Sequence, residues 1–148
     1  LFVTPLIQLA VLANAATFEV KRASLWVVDL DRTPVATAMV DRFTASQRFV
    51  VVGDGVSPSE GERSLMEGRA TAVMTIPQGF ARDLGTSGRS TVQLVLNAVN
   101  GSQAGVTQGY ATQIIARFAS EVASMEAAHR PGFTARPMVE VRTRGWYN

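Results

Sequence analysis

Short apolar runs alternate with amphipathic stretches along nearly the whole chain. Ala23–Asp29 (ASLWVVD) is almost continuously apolar, as expected of a strand buried on both faces. Arg48–Val52 (RFVVV), Ala70–Ile76 (ATAVMTI), Thr91–Asn97 (TVQLVLN) and Pro137–Arg144 read as four further strands. Helical spacing fills the gaps between them. Thr33 can cap a helix that opens on Pro34, runs to about Ser46, and carries Val35, Met39, Val40 and Phe43 on one face. Ser57-Pro58-Ser59-Glu60 has the form of a capping box, and Gly68 is placed to end that helix after Glu67. Pro77 opens a short helix with Phe80 and Leu84 inward, closed by Gly85 and Gly88. The longest helix spans Ser102 to about Ala128, with Val106, Tyr110, Ile114, Phe118, Val122 and Met125 as its apolar stripe.

Strict alternation of strands and helices predicts an α/β fold: a three-layer αβα domain around a mainly parallel five-stranded sheet. Gly53-Asp54-Gly55 reads as a turn. Ahead of the first strand, Leu1–Phe18 is mostly apolar and as a helix would span about 27 Å, close to the thickness of a bilayer core. It reads as a truncated transmembrane helix preceding the domain. Both ends break off abruptly, so the expectation is a segment of a longer membrane protein, divided into 1–18 and 19–148.

Composition narrows the function. The net charge is +2, from 14 basic and 12 acidic residues, and every basic residue except Lys21 is arginine. The arginines form no run and do not interleave with aromatics, so a nucleic-acid surface has no support. Cysteine is absent, which excludes disulfides and thiol chemistry. His129 is the only histidine, too few ligands for a nitrogen–sulfur zinc site, and it suits a helix C-terminus. Gly53-Asp54-Gly55-Val56-Ser57-Pro58 fails the dinucleotide pattern, and no Walker A sequence is present.

Asp29 and Asp31 end the first strand, where α/β sheets usually bind ligands. Two carboxylates there could hold Mg²⁺, but nothing else completes such a site. The simpler reading is that Asp29 turns the strand end while Asp31 assists helix capping and pairs with Arg32 or another arginine. Gly101, Gly105 and Gly109 form a smooth stripe suited to close packing on the sheet or to a subunit contact. Trp146 and Tyr147 suit either a core or a membrane interface.

Four segments, taken in order, resemble the permeases of ABC-2 type transporters. They are Phe18-Glu19-Val20-Lys21, Val27-Val28-Asp29-Leu30-Asp31-Arg32-Thr33-Pro34, Ile76-Pro77-Gln78-Gly79-Phe80-Ala81-Arg82-Asp83-Leu84, and Val141-Arg142-Thr143-Arg144-Gly145-Trp146-Tyr147-Asn148. Gly145 departs from the pattern, which more often has a larger apolar residue there. The resemblance is to the subtype with a large extracytoplasmic domain between its first two transmembrane helices. It implies a subunit of a bacterial inner-membrane exporter with no catalytic residue, metal or cofactor in this segment, ATP being bound on a separate subunit. The implied partners are an ABC ATPase, a second permease subunit, the membrane and a periplasmic membrane-fusion adaptor. It further implies that Asp29, Asp31 and Arg32 lie at one edge of the sheet, and that Arg142, Arg144, Trp146 and Tyr147 form a membrane-proximal base. The alternative is a soluble ligand-binding α/β module with a pocket near Asp29.

Overall fold

The computed structural model describes residues 7–8, 22–99, 101–129 and 138–146. The apolar run Leu1–Phe18 therefore lies outside the described residues, apart from Ile7 and Gln8, as does Tyr147. The order is β1 (Ala23–Asp29), α1 (Pro34–Ala45), β2 (Phe49–Gly55), α2 (Pro58–Met66), β3 (Ala72–Ile76), α3 (Phe80–Ser87), β4 (Arg89–Asn97), α4 (Gly101–His129) and β5 (Met138–Trp146). These strands form one five-stranded sheet in the order β2-β1-β3-β4-β5.

β1 runs parallel to both β2 and β3, and β4 runs parallel to β5, but β3 and β4 are antiparallel. The sheet is thus mainly parallel, with one reversal that strand-helix alternation did not foretell. Gly88 explains it. This glycine takes a left-handed conformation (φ 67°), its N–H bonds to Leu84 O, and Arg89 enters β4 directly. No residues are left to carry the chain back along the sheet. α2, by contrast, is followed by Glu67–Thr71 before β3 starts.

Helices cover both faces of the sheet, unevenly. On one, Leu25, Val27, Met74 and Leu94 pack against Met39 and Phe43 of α1, Phe80 of α3, and Ile115 and Phe118 of α4. The Phe43 and Phe49 rings meet edge to face, with centroids 5.0 Å apart. On the other face, Val28, Val73 and Val95 meet Leu65 of α2, and Trp26 and Trp146 pack at the margin. Each large side chain removed from water in these clusters contributes about 1.5–3 kcal/mol relative to exposure.

Two packing expectations are corrected. The middle of the α4 stripe packs as expected, with Phe118 buried and Tyr110, Ile114 and Val122 half-buried against the core, but Val106 and Met125 at its ends are exposed and Ala111, Ile115 and Ala119 are buried beside it. The glycine stripe does not pack on the sheet: a Cβ added at Gly101, Gly105 or Gly109 would meet nothing within 4 Å. Gly53-Asp54-Gly55 is strand and not a turn. The Trp26 ring lies against Gly53, where a Cβ would overlap it, a Cβ at Gly55 would overlap the Glu60 carboxylate, and Val52 forms a bulge opposite the Leu25/Trp26 step.

Candidate functional site

The strand directions give the domain a base, where β1 begins, and a tip, where it ends. Because β4 and β5 are reversed, they finish at the base. Leu25 lies beside Ala72, Ala72 beside Leu96, and Leu96 beside Gly145. The chain thus comes into the sheet at Ala23 and leaves it at Trp146 on the same end. With β3 and β4 between them, β1 and β5 are about 14 Å apart.

At the tip, the first strand turns on Asp29. Its Oδ1 accepts from the N–H groups of Asp31 (3.0 Å) and Arg32 (2.9 Å), and Arg32 adopts a left-handed backbone (φ 52°) and is exposed. Asp31 then reaches across to the β3–α3 loop. Its Oδ1 accepts from Gly79 N (2.8 Å), and its Oδ2 accepts from Ala81 N (3.1 Å) and from the Thr33 hydroxyl (2.6 Å). Thr33 in turn accepts from Ala36 N (3.2 Å) and caps α1. Residue 79 at the start of α3 is a glycine with no side chain to cap that helix, so Asp31 takes the capping part from 48 residues away. One carboxylate therefore fastens the starts of two helices. Burial tends to raise its pKa, but the hydrogen bonds from Thr33, Ala81, Gly79 and Phe80 outweigh that and hold it below the ordinary value.

This geometry decides what Asp29 and Asp31 do. Both are occupied by backbone donors, the capping and turning parts anticipated for them. The expected arginine pairing of Asp31 does not occur among the described residues. Nor do these residues lie on an edge strand: β1 is second from the edge. The nearby open groove of about 440 Å³ is lined by Pro77, Gln78, Asp83, Arg89 and Glu140, among others, and neither aspartate borders it. Among the described residues no group of three potential metal-ligating side chains comes together. His129 is exposed in the last turn of α4, its Nδ1 2.7 Å from Met125 O.

The second group of candidates lies on β5, and not all of it at the base: Arg142 sits beside Gln93, which is level with Thr75 and Val28 toward the tip, while Trp146 ends the strand at the base. Arg142 reaches Glu140 at 3.4 Å, Arg144 is exposed beside Val95 of β4, and Trp146 packs with Trp26 on the second core. Sequence reasoning missed what ties this end together. Ala23 N donates to Arg48 O, Thr71 N to Ser24 O, Asn97 N to Thr71 O, and Ala98 N to Trp146 O. These backbone bonds run across the base from β2 to β5. Ser24 and Thr71 reinforce the middle, Thr71 N donating to the Ser24 hydroxyl (3.0 Å) and the Thr71 hydroxyl to Ser24 O (3.2 Å). Two serine and threonine positions at strand ends carry no sequence signal that would have revealed this.

Fold and site together define an α/β domain fastened across the end where the chain arrives and leaves, with its aspartates used to hold loops. The family model described as ABC-2 family transporter protein matches residues 1–137, and the chain belongs to that family. It is 28% identical over 143 residues to the probable multidrug ABC transporter permease YbhR of Escherichia coli K12, covering 97% of this chain and 37% of YbhR. It is 27% identical over 126 residues to the inner membrane transport permease YhhJ of the same organism, covering 85% of this chain and 32% of YhhJ. The chain spans about a third of the length of these relatives. Its fold is shared with a crystal structure of a domain from Thermotoga maritima MSB8 assigned to the ABC type-2 transporters, at a TM-score of 0.54 and 21% identity over 83% of this chain and 88% of that one. Among the described residues, no helix is long and apolar enough to cross a membrane.

Proposed function

We propose that residues 19–148 form the extracytoplasmic domain of an ABC-2 exporter permease, standing on the periplasmic side of a bacterial inner membrane. Residues 1–18 would be the outer end of the first transmembrane helix. One observation carries the reading: the chain reaches and leaves the sheet at one end, about 14 Å apart. Packed helices lie about 8–10 Å apart, so two membrane helices can feed both connections without strain. Family membership and the likeness to inner-membrane permeases support the same arrangement.

The domain makes and breaks no bonds in this reading. ATP is bound by a separate ABC ATPase, and a second permease subunit completes the path. The domain caps or gates that path and offers a surface to a periplasmic membrane-fusion adaptor. Movement of the two flanking helices would reach the sheet through its base, where the hydrogen bonds from Ala23 to Trp146 join both connections. Arg144, Trp146 and Tyr147 would transmit that motion toward Arg142, which lies further up β5.

The placement is tested in the full-length permease by introducing cysteine at exposed Thr86, at the tip. In intact cells a membrane-impermeant maleimide should label it. Labelling only after the inner membrane is broken would put the domain in the cytoplasm and end the reading. For the mechanical role, Trp146→Ala or Arg144→Ala should reduce export at unchanged permease abundance; undiminished export by both would refute it.

A further inference from the structure

The two ends of this domain differ in their balance of charge. At the base, Arg48, Arg117 and Arg144 are exposed and have no carboxylate within ion-pair distance among the described residues. Arg48 leads into β2, with its guanidinium carbon 4.1 Å from the Tyr110 ring centroid. It shares an open groove of about 370 Å³ with Arg117, Ser46, Gln113 and Ile114, and no acidic side chain lines it. Of the carboxylates near this end, Glu67 pairs with Arg69 at 2.6 Å and Glu121 with Arg42 at 2.7 Å, while the exposed Asp41 beside Arg42 has no ion pair among the described residues. Asp54, Glu60, Asp83 and Glu140, by contrast, lie toward the tip with Asp29 and Asp31. Exposed apolar residues do not distinguish the ends, since Val99 and Val106 lie at the base and Leu30 and Val56 at the tip. Charge does.

We propose that the base is a docking surface for an anionic lipid bilayer, with Arg48, Arg117 and Arg144 set against lipid phosphates. Guanidinium groups bind phosphate through paired N–H donors, and arginine sheds water more readily than lysine. Continuity of the chain supports the occupant: both connections leave from this end, so a membrane holding the flanking segments would face these arginines. The inference rests on the reading that the base is membrane-proximal. Its consequence is orientation: lipid headgroups would hold the domain upright on the bilayer, with the acidic tip turned away.

The test is co-sedimentation of the 148-residue chain with phosphatidylcholine vesicles, with and without about one third phosphatidylglycerol. The apolar N-terminal run drives partition into both, so the readout is the ratio between them. Each basic residue near an anionic surface is worth about a fivefold change in partition. R117Q/R144Q should therefore cut the phosphatidylglycerol preference about 25-fold, and R117K/R144K should keep most of it. R82Q/R89Q, at the tip, should leave it unchanged, and salt at about 0.5 M should abolish it. Circular dichroism confirms that each variant folds. Equal binding to both vesicles, equal losses in both glutamine doubles, or a preference that survives salt would overturn the proposal. An acidic protein as the true partner of these arginines would give the first of these results. Outward labelling at residue 86 with equal vesicle binding would remove the lipid contact and leave the transporter reading standing.

Discussion

Asp31 supplies the sharpest test of how this domain is held together. Asp31→Ala would remove the acceptor for Gly79 N (2.8 Å), Ala81 N (3.1 Å) and the Thr33 hydroxyl (2.6 Å) at once. Loss of a helix cap costs about 1 kcal/mol, and a further hydrogen bond to a charged group about 1.5–3 kcal/mol when buried. Asp31 is half-buried, so water replaces part of what is lost. The expected cost is about 2 kcal/mol, or a fall of about 4–8 °C in Tm for a domain this size. Asp31→Asn keeps one oxygen and should cost about half as much. The pH dependence identifies the cause. Because the folded-state pKa lies below the ordinary 3.8, the ionised carboxylate stabilises the fold fully at neutral pH. That contribution fades as pH drops below about 4 and through the folded pKa. Urea titrations of wild type and Asp31→Ala, followed by tryptophan fluorescence, should show a wide gap at pH 7 that narrows progressively in acid. A gap below about 0.5 kcal/mol at pH 7, or one that persists unchanged at low pH, would refute the clamp.

Other positions probe different parts of the structure. Gly53→Ala should destabilise by about 1–3 kcal/mol in urea melts by pressing a methyl group into the Trp26 ring, and Trp26→Leu in the same chain should relieve much of it. Phe43→Ala, at a fully buried position against Phe49, should cost about 3–5 kcal/mol by the same assay. Gly105→Ala should raise stability by about 0.5–1 kcal/mol, since the new methyl points into open space on a helix. A loss of export in the full-length permease without a loss of stability would then mark the Gly101–Gly105–Gly109 stripe as a contact with another subunit.

Local signals in the sequence read well where the cause is local. Thr33-Pro34 and Ser57 to Glu60 gave the starts of α1 and α2, Gly68 the stop of α2, and the Glu60 carboxylate does return to Val56 N at 2.8 Å. They failed where a distant group decides. Gly53-Asp54-Gly55 has the composition of a turn, but Gly53 makes room for the Trp26 ring from the neighbouring strand and Gly55 for the Glu60 carboxylate. The α4 stripe was read from large side chains; its middle does pack on the core, but its ends Val106 and Met125 are exposed and the small Ala111 and Ala119 are buried instead. For the candidate site, the local part of Asp31's role was legible, and its reach to Gly79 was not. Two of the segments that carry the family resemblance, one holding Asp31 and the other Gly79, turn out to be joined by that carboxylate. Each looked like an isolated loop motif in the sequence.

The reversal of β4 links these details to function. Had all strands run the same way, β5 would have ended at the tip, about 30 Å along its nine residues from where it ends now. A chain arriving at Ala23 and leaving there could not be fastened across one end by neighbouring backbone bonds. Gly88 turns the chain directly into β4, and Leu96 and Gly145 then come level with Ala72 and Leu25. Gly88→Ala should therefore do more than its strain alone suggests. The left-handed conformation costs a side chain about 1–2 kcal/mol, and relief by lengthening the α3–β4 connection would slide β4 and β5 along β3. Such a slide would break the Asn97 N to Thr71 O bond and the level meeting of β1 and β5 at the base. A variant that loses only the strain energy in urea, with full export by the full-length permease, would show that the register is held by the sheet itself and not by this glycine.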